Sequence, residues 1–559
     1  MLYPKSNQYR DVYNLNGIWK FRTVGDEYVP TLPAKEYSLM AVPASMNEIV
    51  TDRAVKDHVG KVLYETEFSF PVREGQQYRL RIGAVSHKCE VYLNGEKIGK
   101  GINGFFPIDL PLDRLQAENR LSVVIDNRLS FQTLPPGRIQ NGKQIYNHDF
   151  YNFTGIHRDV LVFSVPKKHI RDITIRTVVD NDYSKVRAEV QTDCSQVSFT
   201  VKDREGKIVV TSKEPEFFVK DPVLWGPENP YLYTLIVQTE CDRYEQKFGI
   251  RKVSVDEKGV YLNGKPVYFK GFGMHEDFFV LGKGNNAAVN VRDFELLKWI
   301  HANSIRTSHY PYSDEIMDLA DEYGILVIDE VPAVGMNWWG ENSFAPDKLN
   351  DETKALHKEL IGQLVARDKN HPSFVMLSVA NEAATHEQAA GEYFKDVISY
   401  ARTVCDLPVT IVEFTKFEDG SKVADLVDVI CINRYYGWYT DHGCLDVIGK
   451  QIKEEIDSWH NTYKKPVMVT EFGADTVEGL HLLPSESFSE EFQDEFLAEY
   501  FKAFDACEGC VGEQIWNFAD FQTKPGLTRI RGNRKGVFTK ERQPKYVVRR
   551  IRERWSEKK

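Results

Sequence analysis

The 559-residue sequence predicts a multidomain protein: an N-terminal jelly-roll β-sandwich (1–165), an immunoglobulin-like β-sandwich (166–255) and a C-terminal (β/α)8 TIM barrel (256–559). Three observations carry this. Up to about residue 255, short strands of alternating polarity follow one another between Asn-Gly and Pro-Gly turns, with almost no helical periodicity. After Val253 the texture changes to strands alternating with helical patterns. The last part of the chain then holds eight β units in about 290 residues, the count and length of a TIM barrel. A chain of this length also exceeds what one hydrophobic core can organise.

In the first domain the strand candidates are 64–68, 78–82, 89–93, 121–125 and 160–165. The third closes on Asn94-Gly95, the pair a type I′ hairpin demands because both central residues need positive φ. The second domain offers 170–175, 185–190, 196–201 and 232–237, with a Pro-rich turn at 224–230. Roughly ninety residues with about seven strands is an immunoglobulin-like size. In the barrel, strand 267–273 comes first. Asn290 is expected to cap a helix carrying Phe294, Leu297 and Ile300 on one face. Then come strand 304–308, a helix capped by Ser313 and stopped at Gly324, and strands at 325–328, 374–382, 408–412, 428–433, 466–471 and 513–517. The basic segment 547–555 is read as the solvated face of a closing helix, not as a nucleic-acid patch.

Composition narrows the function classes. Hydrophobic content of 42% and charged content of 27% describe a soluble globular protein. Aromatic residues reach 12%, which suits many short strands and also suits sugar rings stacking on aromatic faces. A net charge of −11 argues against broad binding to nucleic acid or to an anionic membrane, so an acidic substrate would need a local positive site. The N-terminus lacks a basic stretch followed by an apolar one, so no signal peptide is expected. No apolar run reaches membrane-spanning length. Of the 8 cysteines only Cys507 and Cys510 have a CxxC spacing, without a second pair, which leads to the expectation of reduced thiols in a cytoplasmic protein and of no metal site.

The chemistry concentrates at two strand ends. FVMLSVANE, ending at Glu382, reads as a strand buried on both faces that emerges in a polar pair, Asn381-Glu382. PVMVTE, ending at Glu471, repeats the pattern before Phe472-Gly473. Ligands meet such sheets and barrels at the carboxyl ends of their strands. Either Glu alone could simply face water or a salt-bridge partner. Together they are the minimum equipment for splitting a glycosidic bond, and the Asn381 amide could hold a sugar hydroxyl beside them. Spacing alone does not say which is the acid and which the nucleophile.

These segments, with TSHYPYSDEIMDLADEYGILVIDE (307–330) and EQIWNFADF (513–521), resemble glycoside hydrolase family 2 over essentially the whole chain. Within it NRYYGWY (433–439), NHDFYNFTGIHRDV (147–160) and above all GNRKG (532–536) resemble the β-glucuronidases. The resemblance implies a retaining, exo-acting β-D-glucuronidase with Glu382 as acid/base and Glu471 as nucleophile. It implies that Asn533 and Lys535 grip the sugar carboxylate, with Arg529 at the same side. Asp149 would reach from the sandwich to a sugar hydroxyl, and His309 would bind another. Tyr435 would hydrogen-bond the nucleophile, Tyr439 and Trp516 would wall the sugar, and Arg306 would be a buried partner of the catalytic carboxylates.

No metal or organic cofactor is implied. The partners implied are small-molecule or oligosaccharide β-glucuronides, and the common assembly is a homo-oligomer. The alternatives are a β-galacturonidase or β-galactosidase and, from another class, a non-catalytic carbohydrate-binding protein, which the presence of both Glu residues disfavours. The sequence also departs from the pattern. Leu377 and Phe472 stand where many relatives have Trp and Tyr, which is expected to reshape the wall of the site. The segment 332–351 is shorter than the active-site loop of some bacterial relatives, which puts small drug glucuronides in doubt as substrates. Trp338-Trp339 reads equally as a stacking platform or as core packing.

Overall fold

The computed structural model describes residues 2–179 and 183–558. The first domain packs a six-stranded antiparallel sheet on a four-stranded one. Alternation within Gly17–Val24 turns Trp19 and Phe21 inward. They meet Leu80, Val91, Val123, Ile125 and Val162 in one core. Asn94 and Gly95 have φ of 53° and 89°, as the expected hairpin turn requires. The second domain is a sandwich of a three-stranded and a four-stranded sheet. Trp225, in its Pro-rich turn, is fully buried and donates from Nε1 to the Asp321 carbonyl at 2.9 Å, which ties this domain to the barrel.

The third domain is a closed barrel of eight parallel strands. They are β1 (Phe269–Gly273), β2 (Ser304–Arg306), β3 (Leu326–Glu330), β4 (Phe374–Asn381), β5 (Val409–Glu413), β6 (Ile430–Asn433), β7 (Val467–Glu471) and β8 (Cys510–Ile515). Every residue of β4 and of β7 is buried, which is why both read as continuous apolar runs. Helix α1 (Ala287–Trp299) follows β1 and helix α2 (Asp314–Tyr323) follows β2. Ser313 caps α2, and Gly324 ends it at φ 73°.

Three local expectations are corrected. The cap of α1 is Asn286, whose extended backbone lets its side chain accept from the amides of Ala288 and Val289. Asn290 lies one turn inside the helix and donates from Nδ2 to Asn285 Oδ1 at 2.8 Å. Strand β8 starts at Cys510, three residues before the expected start. The basic C-terminal helix (Val548–Glu557) is more than a solvated face. It buries Val548, Ile551 and Trp555, and Arg554 bonds both Glu513 and Asp505 while Arg550 pairs with Asp494.

The sandwich also closes over the barrel mouth. Phe105, Phe106, Leu134 and Phe150 belong to the same buried cluster as the barrel and its helices. Phe105 stacks on Tyr310 with ring centroids 4.6 Å apart. Asn147 Nδ2 donates to the Asn337 carbonyl, and the Tyr151 amide donates to the Gln522 carbonyl, both at 2.9 Å. These two contacts pin the segment that carries Asp149 across the loops after β3 and β8.

Candidate active site

The carboxyl ends of the strands deliver the reactive groups. After Asn381 the chain turns sharply at Glu382, a non-glycine residue at φ 53° held by its amide on the Val412 carbonyl at 2.9 Å. Asn433, at the end of β6, donates from Nδ2 to Glu382 Oε1 at 2.8 Å and to Asn381 Oδ1 at 3.2 Å. Glu471, at the end of β7, accepts from Tyr435 Oη at 2.7 Å and from Arg306 Nη2 at 2.5 Å. Arg306 is fully buried, and its other arm lies 3.0 Å from Glu330, at the end of β3. His309 places Nδ1 2.7 Å from Glu330 Oε1 and stacks on Trp516 at 5.2 Å.

The two carboxyls are in different electrostatic surroundings. Burial, reinforced by the nearby Glu471, pushes Glu382 up to about 8 against the amide donation from Asn433 and the more distant Arg306 charge. Burial also raises Glu471, but the Arg306 guanidinium and the Tyr435 hydroxyl oppose the rise. The ionised form of Glu471 thus has a guanidinium and a hydroxyl in direct contact, whereas Glu382 has the Asn433 amide. Burial drives His309 well below its ordinary range, so its imidazole is neutral.

A second cluster sits on the loop after β8. The glycines of GNRKG are required there: a Cβ on Gly532, whose φ is 105°, would lie 2.3 Å from the Phe521 carbonyl oxygen, and one on Gly536 would lie 2.2 Å from the Asp520 amide. Lys535 is fully buried, pairs through Nζ with Asp475 and donates to Tyr439 Oη at 2.8 Å. Asn533 Nδ2 donates to Asp149 Oδ2 at 2.9 Å. Arg529 holds the same carboxylate from Nε and Nη2, and Nη2 also reaches Tyr439 Oη at 2.7 Å. Arg534 turns away to Asp520. The Tyr435 and Tyr439 rings lie 5.0 Å apart, so Glu471–Tyr435–Tyr439–Lys535 is a continuous line of contacts.

All eleven residues predicted for the site thus meet in one mouth, Asp149 arriving from the sandwich. Three members had not been singled out: Glu330, Asn433 and Asp475. Glu330 and Asn433 carried a readable signal, since each is the last polar residue of a barrel strand. Asp475 had none beyond its place in TEFGAD. Among the described residues, two groups could offer metal ligands, Cys194–Glu240–Cys241 and Asp318–Asp321–His371. The first is in the second domain, and the second lies on α2 and the turn before β4, at the opposite end of the barrel from the glutamates.

With this geometry in view, three family profiles match the chain: "Glycosyl hydrolases family 2, sugar binding domain" over 33–166, "Glycosyl hydrolases family 2" over 168–251, and "Glycosyl hydrolases family 2, TIM barrel domain" over 253–559. The chain belongs to glycosyl hydrolases family 2. A β-glucuronidase of Paenibacillus borealis is 43% identical, with 100% of this chain and 99% of that protein covered. The solved structure of a β-glucuronidase from an uncultured Clostridium species is 44% identical with a TM-score of 0.97, covering 100% of both chains. The Bifidobacterium dentium β-glucuronidase, solved with coumarin-3-O-glucuronide, is 38% identical with a TM-score of 0.94, covering 100% of this chain and 98% of that one.

Two expected departures from the family-2 pattern do not touch the wall. Leu377 is buried in the barrel core, and Phe472 points outward from its strand, stacked on Tyr500 at 5.0 Å. A residue next to Glu471 on a strand must face the other way, which explains the second case. The two tryptophans of the shortened loop separate. Trp338 is buried against Phe131 and Arg138, whereas Trp339 is 65% exposed and meets Phe414 edge-on.

Proposed function

We propose that this family-2 hydrolase is a retaining, exo-acting β-D-glucuronidase. The observation that carries the reading is the line of contacts from Glu471 through Tyr435 and Tyr439 to Lys535, which sets a cationic cluster in the same mouth as the carboxylate pair. A glucuronide differs from a glucoside by one ring carboxylate, and Lys535, Asn533 and Arg529 offer the donors such a group needs. The relatives described above, each a β-glucuronidase, point to the same substrate class.

In this reading Glu471 attacks the anomeric carbon while Glu382 gives its proton to the glycosidic oxygen, and the aglycone leaves as an alcohol. Glu382, now a carboxylate, takes a proton from water, whose oxygen displaces Glu471 and restores both groups. The different surroundings of the two carboxyls suit that division. Asn381 and Asn433 face the 2-hydroxyl side, His309 and Asp149 bind other hydroxyls, and Trp516 and Tyr439 wall the ring. The test is hydrolysis of an aryl β-D-glucuronide beside the matching galacturonide, galactoside and glucoside, with the anomer of the first-formed product read by NMR. Preference for the glucuronide with a β-configured product is expected. A neutral-sugar preference or an α-configured product overturns the reading.

A further inference from the structure

Glu330 has no part in the steps just described, yet it is the most enclosed carboxylate of the site, with no exposed surface. Its two oxygens accept from Arg306 Nη1 at 3.1 and 3.0 Å, and Oε2 accepts from Ser378 Oγ at 2.7 Å. Its backbone amide donates to Thr307 Oγ1 at 2.8 Å, so the residue is fixed from both ends. Arg306 is therefore divided: one arm serves Glu330 and the other serves Glu471.

We propose that Glu330 is a positioning residue for the nucleophile, holding Arg306 and His309 against Glu471 and taking up part of the guanidinium charge that would otherwise rest on Glu471 alone. This rests on Glu471 being the nucleophile. A carboxylate fully neutralised by its own arginine is a weak attacking group. Two carboxylates around one guanidinium leave the trio with net negative charge, so Glu471 stays oriented and remains electron-rich.

The same carboxylate fixes His309. Its Nδ1 lies 2.7 Å from Glu330 Oε1 and 3.2 Å from Arg306 Nη1, and the shorter contact to an anion places the proton on Nδ1. Nε2, 3.8 Å from Glu471 Oε1, is left with a free lone pair, ready to accept from a sugar hydroxyl. The charged or titratable groups facing Glu471 are Arg306 at the end of β2, His309 after it, Glu330 on β3, Glu382 after β4 and Tyr435 after β6.

The test is Glu330→Gln, which keeps shape and removes charge. Turnover of an aryl β-D-glucuronide is expected to fall about 100-fold with little change in KM, as the nucleophile loses its alignment. The acid limb of kcat/KM should move to lower pH by about 1 unit. The sign follows from Glu471 acting in its ionised form. With Glu330 neutral, Arg306 favours that ionised form more strongly, and its protonation is postponed to lower pH. Glu330→Asp, which keeps the charge, should return the acid limb to its original place while turnover stays low. An unshifted acid limb or undiminished turnover in Glu330→Gln overturns the proposal. If that variant does not fold, undiminished turnover in Glu330→Asp does so. Glu471→Gln is measured alongside. Its full activity would defeat the nucleophile assignment itself, whereas an inactive Glu471→Gln beside an unchanged Glu330→Gln profile defeats the positioning role only.

Discussion

The two ends of the active-site mouth are built by different physics. At the reactive end, Glu330, Asn433 and Glu471 finish barrel strands and Glu382 follows one directly, so their backbones inherit the rigidity of a closed sheet; Asn433 and Glu471 are paired neighbours in its register. At the other end, Arg529, Asn533 and Lys535 sit on a loop and Asp149 comes from another domain, 380 residues before Arg529. No strand holds these four. Charge does: two cations, Arg529 and Lys535, are set between two anions, Asp149 and Asp475. In the proposed reading the first arrangement makes a reaction and the second makes a choice of sugar, so each should fail separately.

The sharpest break is at the reactive end. Glu471→Gln is expected to lower kcat on an aryl β-D-glucuronide by roughly 10⁴-fold, with thermal unfolding close to that of the unaltered protein. Glu382→Gln should match it for substrates with poor leaving groups and lose less where the leaving group needs no proton. A loss at Glu382 that does not depend on the leaving group would remove it from the acid role.

Next in size is the choice of sugar. Lys535→Ala is expected to cut kcat/KM for the glucuronide by ~100-fold or more, because a buried charge partner disappears, while the trace rate on the matching glucoside hardly moves. Equal losses on both sugars would mean that Lys535 supports the fold of the loop and does not read the carboxylate. Asp149→Asn tests the bridge between domains. It leaves Arg529 and Asn533 without their shared anion, and a rise of about 10-fold in KM at unchanged kcat is expected. A fall in kcat at constant KM would move Asp149 to the reactive end and blur the contrast.

The same contrast decided what could be read from sequence. FVMLSVANE announced its strand and its Glu together, because a strand buried on both faces must be apolar until it leaves the sheet. The fold class followed from the same periodicities, whereas GNRKG was legible through its resemblance to the β-glucuronidases, and only the structure shows that two close backbone approaches demand its glycines. The capping error at Asn290 arose where neighbouring residues of one type compete for one role. Glu330 was readable as the strand-end acid of ILVIDE, but its part shows only when Arg306 is seen between it and Glu471. Asp475, and the pairing of Asp149 with Arg529, have no local pattern at all. Loop charges hundreds of residues apart become partners only when two domains have docked.

The smallest expected effect isolates a single hydrogen bond. Glu382 is held up to about 8 by burial and by Glu471, and Asn433 opposes this by donating to its ionised form. An acid is useful while protonated, so kcat/KM should fall as pH rises through about 8. Removing the donor in Asn433→Ala destabilises the carboxylate form, raises the pK further and carries the basic limb to higher pH by less than about 1 unit. The acid limb, set by Glu471 and its own partners Arg306 and Tyr435, should stay where it was. A basic limb that moves down instead would mean that Asn433 serves mainly to hold the sugar. The proton on Glu382 would then depend on burial and on the second carboxylate, and the two glutamates would have to be treated as one titrating pair.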